Sequence, residues 1–197
     1  VDKGSVDTEF DVVSTGGLNG KVTITAGGKL AFTPGEEFNK LAAGETDKVA
    51  VSFTVTDGDG GTVTNTAEIT VTGINDAPTG ADKAIDVLED GSYKLSAADF
   101  GFNDIDGGTL TGIVITSISG GGSIMLGTTA ITADMPIEAA DLDNLVFTPA
   151  ANGNGSDYAS FSFKVQDDGG TADGGADTAA AANTITFNVT PVNDAPT

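Results

Sequence analysis

The side chains in this chain that could do chemistry are almost all oxygen donors. Asn75-Asp76, Asp104-Ile105-Asp106, Asp57-Gly58-Asp59, Glu89-Asp90, Asp167-Asp168 and Asn193-Asp194 are short clusters of carboxylates and amides, and histidine and cysteine are absent. That removes imidazole bases, thiolate nucleophiles, Ser-His-Asp arrangements, thiolate zinc sites and disulfides. Hard oxygen ligands suit Ca²⁺, which takes about six to eight of them at about 2.3–2.6 Å, gathered from carboxylates, amides and backbone carbonyls by loops. Two carboxylates about 4 Å apart repel by roughly 1 kcal/mol in water and about 4 kcal/mol at an effective dielectric near 20, so a converged acid cluster calls for a cation.

Each cluster also has a plainer reading. Asn75, Asp76, Asp104 and Asp106 suit ordinary turns, because Asn and Asp side chains bond their own backbone and tolerate left-handed conformations. Asp57 and Asp59 precede Gly60-Gly61, a hairpin-turn signal in its own right. Glu89, Asp90, Asp167 and Asp168 flank strand-like segments, where solvated edge charges are common. Asp57, Asp59 and Glu68 fall at the first, third and twelfth positions of an EF-hand loop, but the sixth is Thr62 where glycine is required, and Val63 to Glu68 alternates like a strand. Acids abound without a spacing that singles out a pair for glycoside hydrolysis. The ten Phe sit mostly in strand-like alternation and read as core. The expectation is that this chain is not an enzyme.

The elements that must position these clusters are strands. The 197 residues suit one or two domains with modest cores. Eight Lys plus Arg against 29 Asp plus Glu give a net charge of −21. That charge repels nucleic acid and anionic membrane surfaces and attracts cations. No apolar run reaches the length of about 18 residues that spans a bilayer, and Val1-Asp2-Lys3-Gly4-Ser5 is not a signal peptide. Period-two alternation over Lys21–Thr25, Val49–Val55 and Ile113–Ile118, separated by Gly, Asn and Asp, has sandwich spacing, and Ala139–Asn144 could form a single helical turn.

Self-similarity organises the chain. Gly73-Ile74-Asn75-Asp76-Ala77-Pro78-Thr79 returns as Pro191-Val192-Asn193-Asp194-Ala195-Pro196-Thr197, Leu30–Pro34 as Leu145–Pro149, Phe53–Asp57 as Phe163–Asp167, and Ile69–Thr72 as Phe187–Thr190. The fold class is therefore all-β: two tandem antiparallel β-sandwich domains, residues 1–75 and 76–197, each ending in a strand and an Asn-Asp-Ala-Pro motif. The first has no counterpart of Leu88–Gly91 or of Asn103–Gly107 before its Val22 strand. It is expected to be truncated at its start, or completed by a strand supplied from elsewhere. The chain stops where a further repeat would begin.

The Asn-Asp-Ala-Pro motifs, the Asp57–Thr62 turn and the Leu88-Glu89-Asp90-Gly91 opening, in order over nearly the whole chain, resemble the cadherin-like and VCBS-type repeats of large bacterial RTX adhesins. The resemblance implies type I export, attachment at the cell surface, and strings of Ca²⁺-stiffened extender domains. It further implies ligand roles: Asn75 and Asp76 match the cadherin linker, Asp104 and Asp106 its Asp-x-Asp pair, and Asp167 a later acid. Gly73 stands where the linker pattern has Asp, and no Leu-Asp-Arg-Glu segment exists, so the number of ions per junction is open. The expected role is a monomeric extracellular spacer whose partners are neighbouring repeats of the same polypeptide, without nucleic-acid binding or membrane insertion. The rival is a module recognising a cell-surface peptide or glycan through the Gly120–Gly122 loop or the insertion from Gly174 to Ala182.

Overall fold

The computed structural model describes residues 8–24, 29–57 and 59–193. Its backbone clusters into two compact units, Val1–Ile74 and Asn75–Thr197.

In the first unit, β1 (Thr8–Val13), β2 (Asn19–Ile24) and β3 (Leu30–Pro34) form an antiparallel sheet in the order β1-β2-β3. A long hairpin, β4 (Thr46–Thr56) and β5 (Thr62–Thr72), forms a separate two-stranded sheet. The hairpin reverses where Asp57 N–H donates to the Gly61 carbonyl at 2.9 Å and Gly60 takes φ 86°, a left-handed conformation that glycine adopts without steric cost. The core is small: Val22, Phe38, Leu41, Val49 and Val51. A 3-10 turn over Glu36–Lys40 carries Phe38 into it, edge-on to Phe32 with ring centroids 5.9 Å apart. Burying each such side chain contributes about 1.5–3 kcal/mol.

The second unit is a fuller sandwich of β6 (Lys83–Leu88), β7 (Tyr93–Lys94), β8 (Gly112–Gly120), β9 (Ser123–Leu126), β10 (Thr129–Ala130), β11 (Pro136–Glu138), β12 (Leu145–Thr148), β13 (Gly155–Gln166) and β14 (Asn183–Thr190). One sheet runs β10-β9-β12-β7 and the other β11-β8-β13-β14-β6. The period-two pattern does the sorting: on β13, Ala159, Phe161, Phe163 and Val165 are buried while the residues between them are less so. Phe147 of one sheet stacks on Phe187 of the other, with centroids 4.0 Å apart and planes 13° apart. Phe100 enters edge-on to Phe163 from a 3-10 turn over Ala97–Phe100.

That turn is anchored by Asp99. It accepts from Lys83 Nζ at 2.5 Å, Tyr93 Oη at 3.1 Å, and the backbone N–H and hydroxyl of Ser96. Burial pushes the Asp99 carboxyl up, but Lys83, Ser96 and Tyr93 together hold it below its ordinary value.

Both units are all-β sandwiches, with one departure from antiparallel order. β6 joins the sheet edge alongside β14 in parallel, Lys83 opposite Ile185 through Leu88 opposite Thr190. The first and last strands of the unit run the same way because the chain crosses the whole sandwich between them. Ala139–Asn144 forms a 3-10 helix. No helix among the described residues is long and apolar enough to cross a membrane.

Candidate metal site

The second unit begins with a segment held down by side chains far away in sequence. Asn75, 5% exposed, donates through Nδ2 to Asp167 Oδ1 at 3.0 Å and to the Ala176 carbonyl at 2.7 Å, while its own carbonyl accepts from Ala176 N–H. Asp76 N–H donates to Asp106 Oδ2 at 2.7 Å. Pro78 is buried, and Thr79 and Asn103 exchange backbone hydrogen bonds at 2.8 Å in each direction. Residues 75–79 are thus fastened to two loops, the one that follows Phe100 and the one that follows β13.

Each loop is shaped by its own acid. Asp104 Oδ1 accepts from Asp106 N–H at 2.8 Å and Gly108 N–H at 3.0 Å, a side-chain-built turn. Asp167 Oδ1 accepts from Gly169 N–H at 2.9 Å. The chain passes so close to Asn75 at Gly169 that a Cβ there would collide with the amide oxygen.

These bonds use one oxygen of each carboxylate and leave the other. Asp104 Oδ2, Asp106 Oδ1 and Asp167 Oδ2 are buried without a hydrogen-bond partner, and Asp167 is 5% exposed. Burying an acceptor unpaired costs about 1–3 kcal/mol, more for a charged group. The protonation behaviour agrees. Burial pushes the Asp106 carboxyl up; the N–H of Asp76 offsets part of that, and the charges of Asp76, Asp104 and Asp167 push it further. Burial likewise raises Asp167, against its bonds from Gly169 and Asn75, with Asp104 and Asp177 adding repulsion. Among the described residues, no group of three or more acids stands ready in a ligating arrangement. What stands there is a set of orphan oxygens on acids close enough to repel one another.

The other acids singled out from the sequence lie elsewhere or do other work. Asp57 Oδ1 accepts from Asp59 N–H at 3.0 Å and Gly61 N–H at 2.7 Å, so this pair shapes the β4–β5 turn. Asp168 is exposed and accepts from the Thr109 N–H and hydroxyl. Glu89 is no solvated edge charge. It is 6% exposed, and its two oxygens accept from Val192 N–H at 2.6 Å and Asn154 Nδ2 at 2.8 Å, securing the segment that leaves β14. Asp90 beside it is exposed, as is Asn193, while Asp194 lies outside the described residues.

Gly73 has a structural reason to be glycine. A Cβ there would run into the Leu41 and Ala42 carbonyls, so an acid could not occupy this position. Sequence reasoning passed over Asp47, buried in the first unit, which accepts from Ser14 Oγ, Thr15 Oγ1 at 2.8 Å and Gly16 N–H at 3.0 Å. It stands in the alternating stretch that opens β4, and nothing local marks it.

No curated protein matches the chain. A solved structure of human mucin-like protocadherin EC1-2 is similar at 17% identity and a TM-score of 0.45, covering 93% of this chain and 85% of that one. The family model described as Bacterial Ig domain matches residues 1–72 and again 75–190. With both units matched over nearly their whole length, the chain belongs to the bacterial Ig domain family, represented in it twice.

Proposed function

We propose that the chain is a Ca²⁺-rigidified spacer from a bacterial surface adhesin of the RTX type, working outside the cell to hold a ligand-binding region away from its anchor. The observation that carries this reading is the trio of buried, unpartnered oxygens on Asp104, Asp106 and Asp167 around the first residues of the second unit. Oxygen-only donors, several negative charges and loop-borne positions fit Ca²⁺. The three orphan oxygens would be the protein's central ligands. Asp76, whose charge acts on Asp106, is a further acid beside them. A bound divalent cation supplies positive charge that cancels the repulsion among these acids. The chain's own contribution is to hold Asn75 and Asp76 against the two acidic loops, so that binding the ion fixes residues 75–79.

The recognition-module alternative has no comparable support. The Gly120–Gly122 loop that it would use is exposed, and a Cβ at Gly121 would stand 2.6 Å from the Tyr158 hydroxyl.

The test is calorimetric titration with Ca²⁺ and Mg²⁺, paired with small-angle scattering of the two-unit chain in Ca²⁺ and in chelator. The reading expects binding of Ca²⁺ in preference to Mg²⁺, and a longer, narrower distance distribution with the ion. Absence of Ca²⁺ binding at millimolar concentration removes the metal; binding with unchanged scattering removes the spacer mechanism.

A further inference from the structure

The two units share one hairpin but give it different neighbours. In the second, β14 is flanked on both sides: by β13, and by β6 in parallel from Lys83 to Leu88. Its counterpart in the first unit is β5, whose Ile69-Thr70-Val71-Thr72 corresponds to Phe187-Asn188-Val189-Thr190. β5 pairs with β4 over its whole length, Thr46 opposite Thr72 through Thr56 opposite Thr62, and among the described residues no strand lies along its other edge.

The inward faces record the difference. Ile185, Phe187 and Val189 are buried, whereas Ala67, Ile69 and Val71 are only half-buried. Further along the same face, Val63 and its partner Val55 are 60% and 53% exposed. In the second unit, β6 supplies Ile85 and Val87 to the core beside β14. The outer side of β4 is a different case, because the chain's own residues approach it: Thr15 N–H donates to the Lys48 carbonyl at 2.8 Å, and Ser14, Thr15 and Gly16 bind Asp47.

We propose that the outer edge of β5 is a docking site for an extended polypeptide segment built like Lys83–Leu88, apolar at alternate positions and polar between, which adds in parallel. Transferring the β6–β14 register places an Ile85-type residue opposite Ile69, a Val87-type residue opposite Val71, and a Lys83-type residue opposite Ala67. Among the described residues no strand bonds the outward N–H and C=O groups of this edge; they supply the ladder, and the alternate apolar side chains close the face that leaves Ile69 and Val71 half-covered. On the opposite face four hydroxyls are already paired, Thr54 with Thr64 and Ser52 with Thr66, so it is the edge and the inward face that the segment would cover. The inference rests on β4 and β5 and does not depend on a metal.

The test uses the full chain and a synthetic peptide of the sequence Ala81–Gly91, followed by amide hydrogen exchange. Saturable slowing of exchange over residues 67–72 by about tenfold or more is the expected result. It should be lost when Ile85 and Val87 of the peptide are both replaced by Asp, or when alternate peptide nitrogens are methylated. Altering the peptide leaves the folding of the protein untouched. No protection, protection confined to β14 through exchange with β6, or self-association through β5 that the peptide does not compete for, would each overturn the proposal.

Discussion

Asp106 accepts the backbone N–H of Asp76 at 2.7 Å with one carboxylate oxygen and keeps the other buried without a partner. One side chain therefore both positions the first residues of the second unit and carries a charge that, among the described residues, no ion pair offsets. Replacing Asp106 with Asn retains an acceptor for Asp76 and removes the charge. In Ca²⁺ the wild type should gain about 2.7 kcal/mol at one hundred times Kd, and Asp106→Asn should lose most of that gain. In chelator the variant should melt at or above the wild-type temperature. Thermal unfolding of both proteins with and without the ion checks this, and an identical Ca²⁺ response in the two would remove Asp106 from the site.

Protons and calcium should oppose each other. Asp106 and Asp167 hold protons more tightly folded than unfolded. In metal-free buffer their contribution therefore favours the fold increasingly as pH falls through their raised values, and is complete below the unfolded value of about 3.9. Other acids, Asp99 and Asp168 among them, are lowered and act in the opposite sense. The effect must be read as the difference between wild type and the Asp106→Asn, Asp167→Asn double variant. With Ca²⁺ present the same protonation should displace the ion, so affinity should weaken over the same pH range.

The first unit should respond to acid through Asp47. The Ser14 hydroxyl, opposed by burial and helped by Thr15, Lys48 N–H and Gly16 N–H, holds this carboxyl at about 2, below its ordinary 3.8. A lowered carboxylate stabilises the fold above its unfolded value, and that stability is lost as pH falls from near 3.8 toward 2. Ser14→Ala should move the Asp47 midpoint upward and shrink the loss, as read from its carboxyl resonance and from amide protection in β4. An unmoved midpoint would refute the assignment.

Gly169→Ala should cost about 1–3 kcal/mol, the usual range for overpacking, because the added methyl meets the Asn75 amide. Combined with Asn75→Ala, the two losses should fall short of additivity, since removing the amide removes the collision. Simple additivity in a double-mutant cycle would mean that Gly169 is required for some other reason.

The strands and the repeated Asn-Asp-Ala-Pro motif were legible because a half-buried strand writes its two faces into alternating residue types, as Phe161, Phe163 and Val165 do on β13. Asp104 and Asp106 are visible as an Asp-x-Asp pair, and the Gly60-Gly61 that follows Asp59 marks the turn at Asp57. Burial of Glu89 and Asp167 was not legible. Asp167 is enclosed by Asn75, 92 positions earlier, and Glu89 by Asn154 and Val192; such contacts exist only once the sandwich has closed. The parallel placement of β6 was hidden for the same reason, because alternation marks a strand without naming its neighbour.

The β6–β14 pairing has a mechanical meaning. These are the first and last strands of the second unit, and they run side by side in the same direction from Lys83 opposite Ile185 to Leu88 opposite Thr190. Tension applied through the two ends of the unit pulls them along their length in opposite senses, so the ladder is loaded in shear and its bonds must yield together. An antiparallel hairpin pulled from its open end would instead unzip one bond at a time. Under traction, this ladder is where the second unit resists.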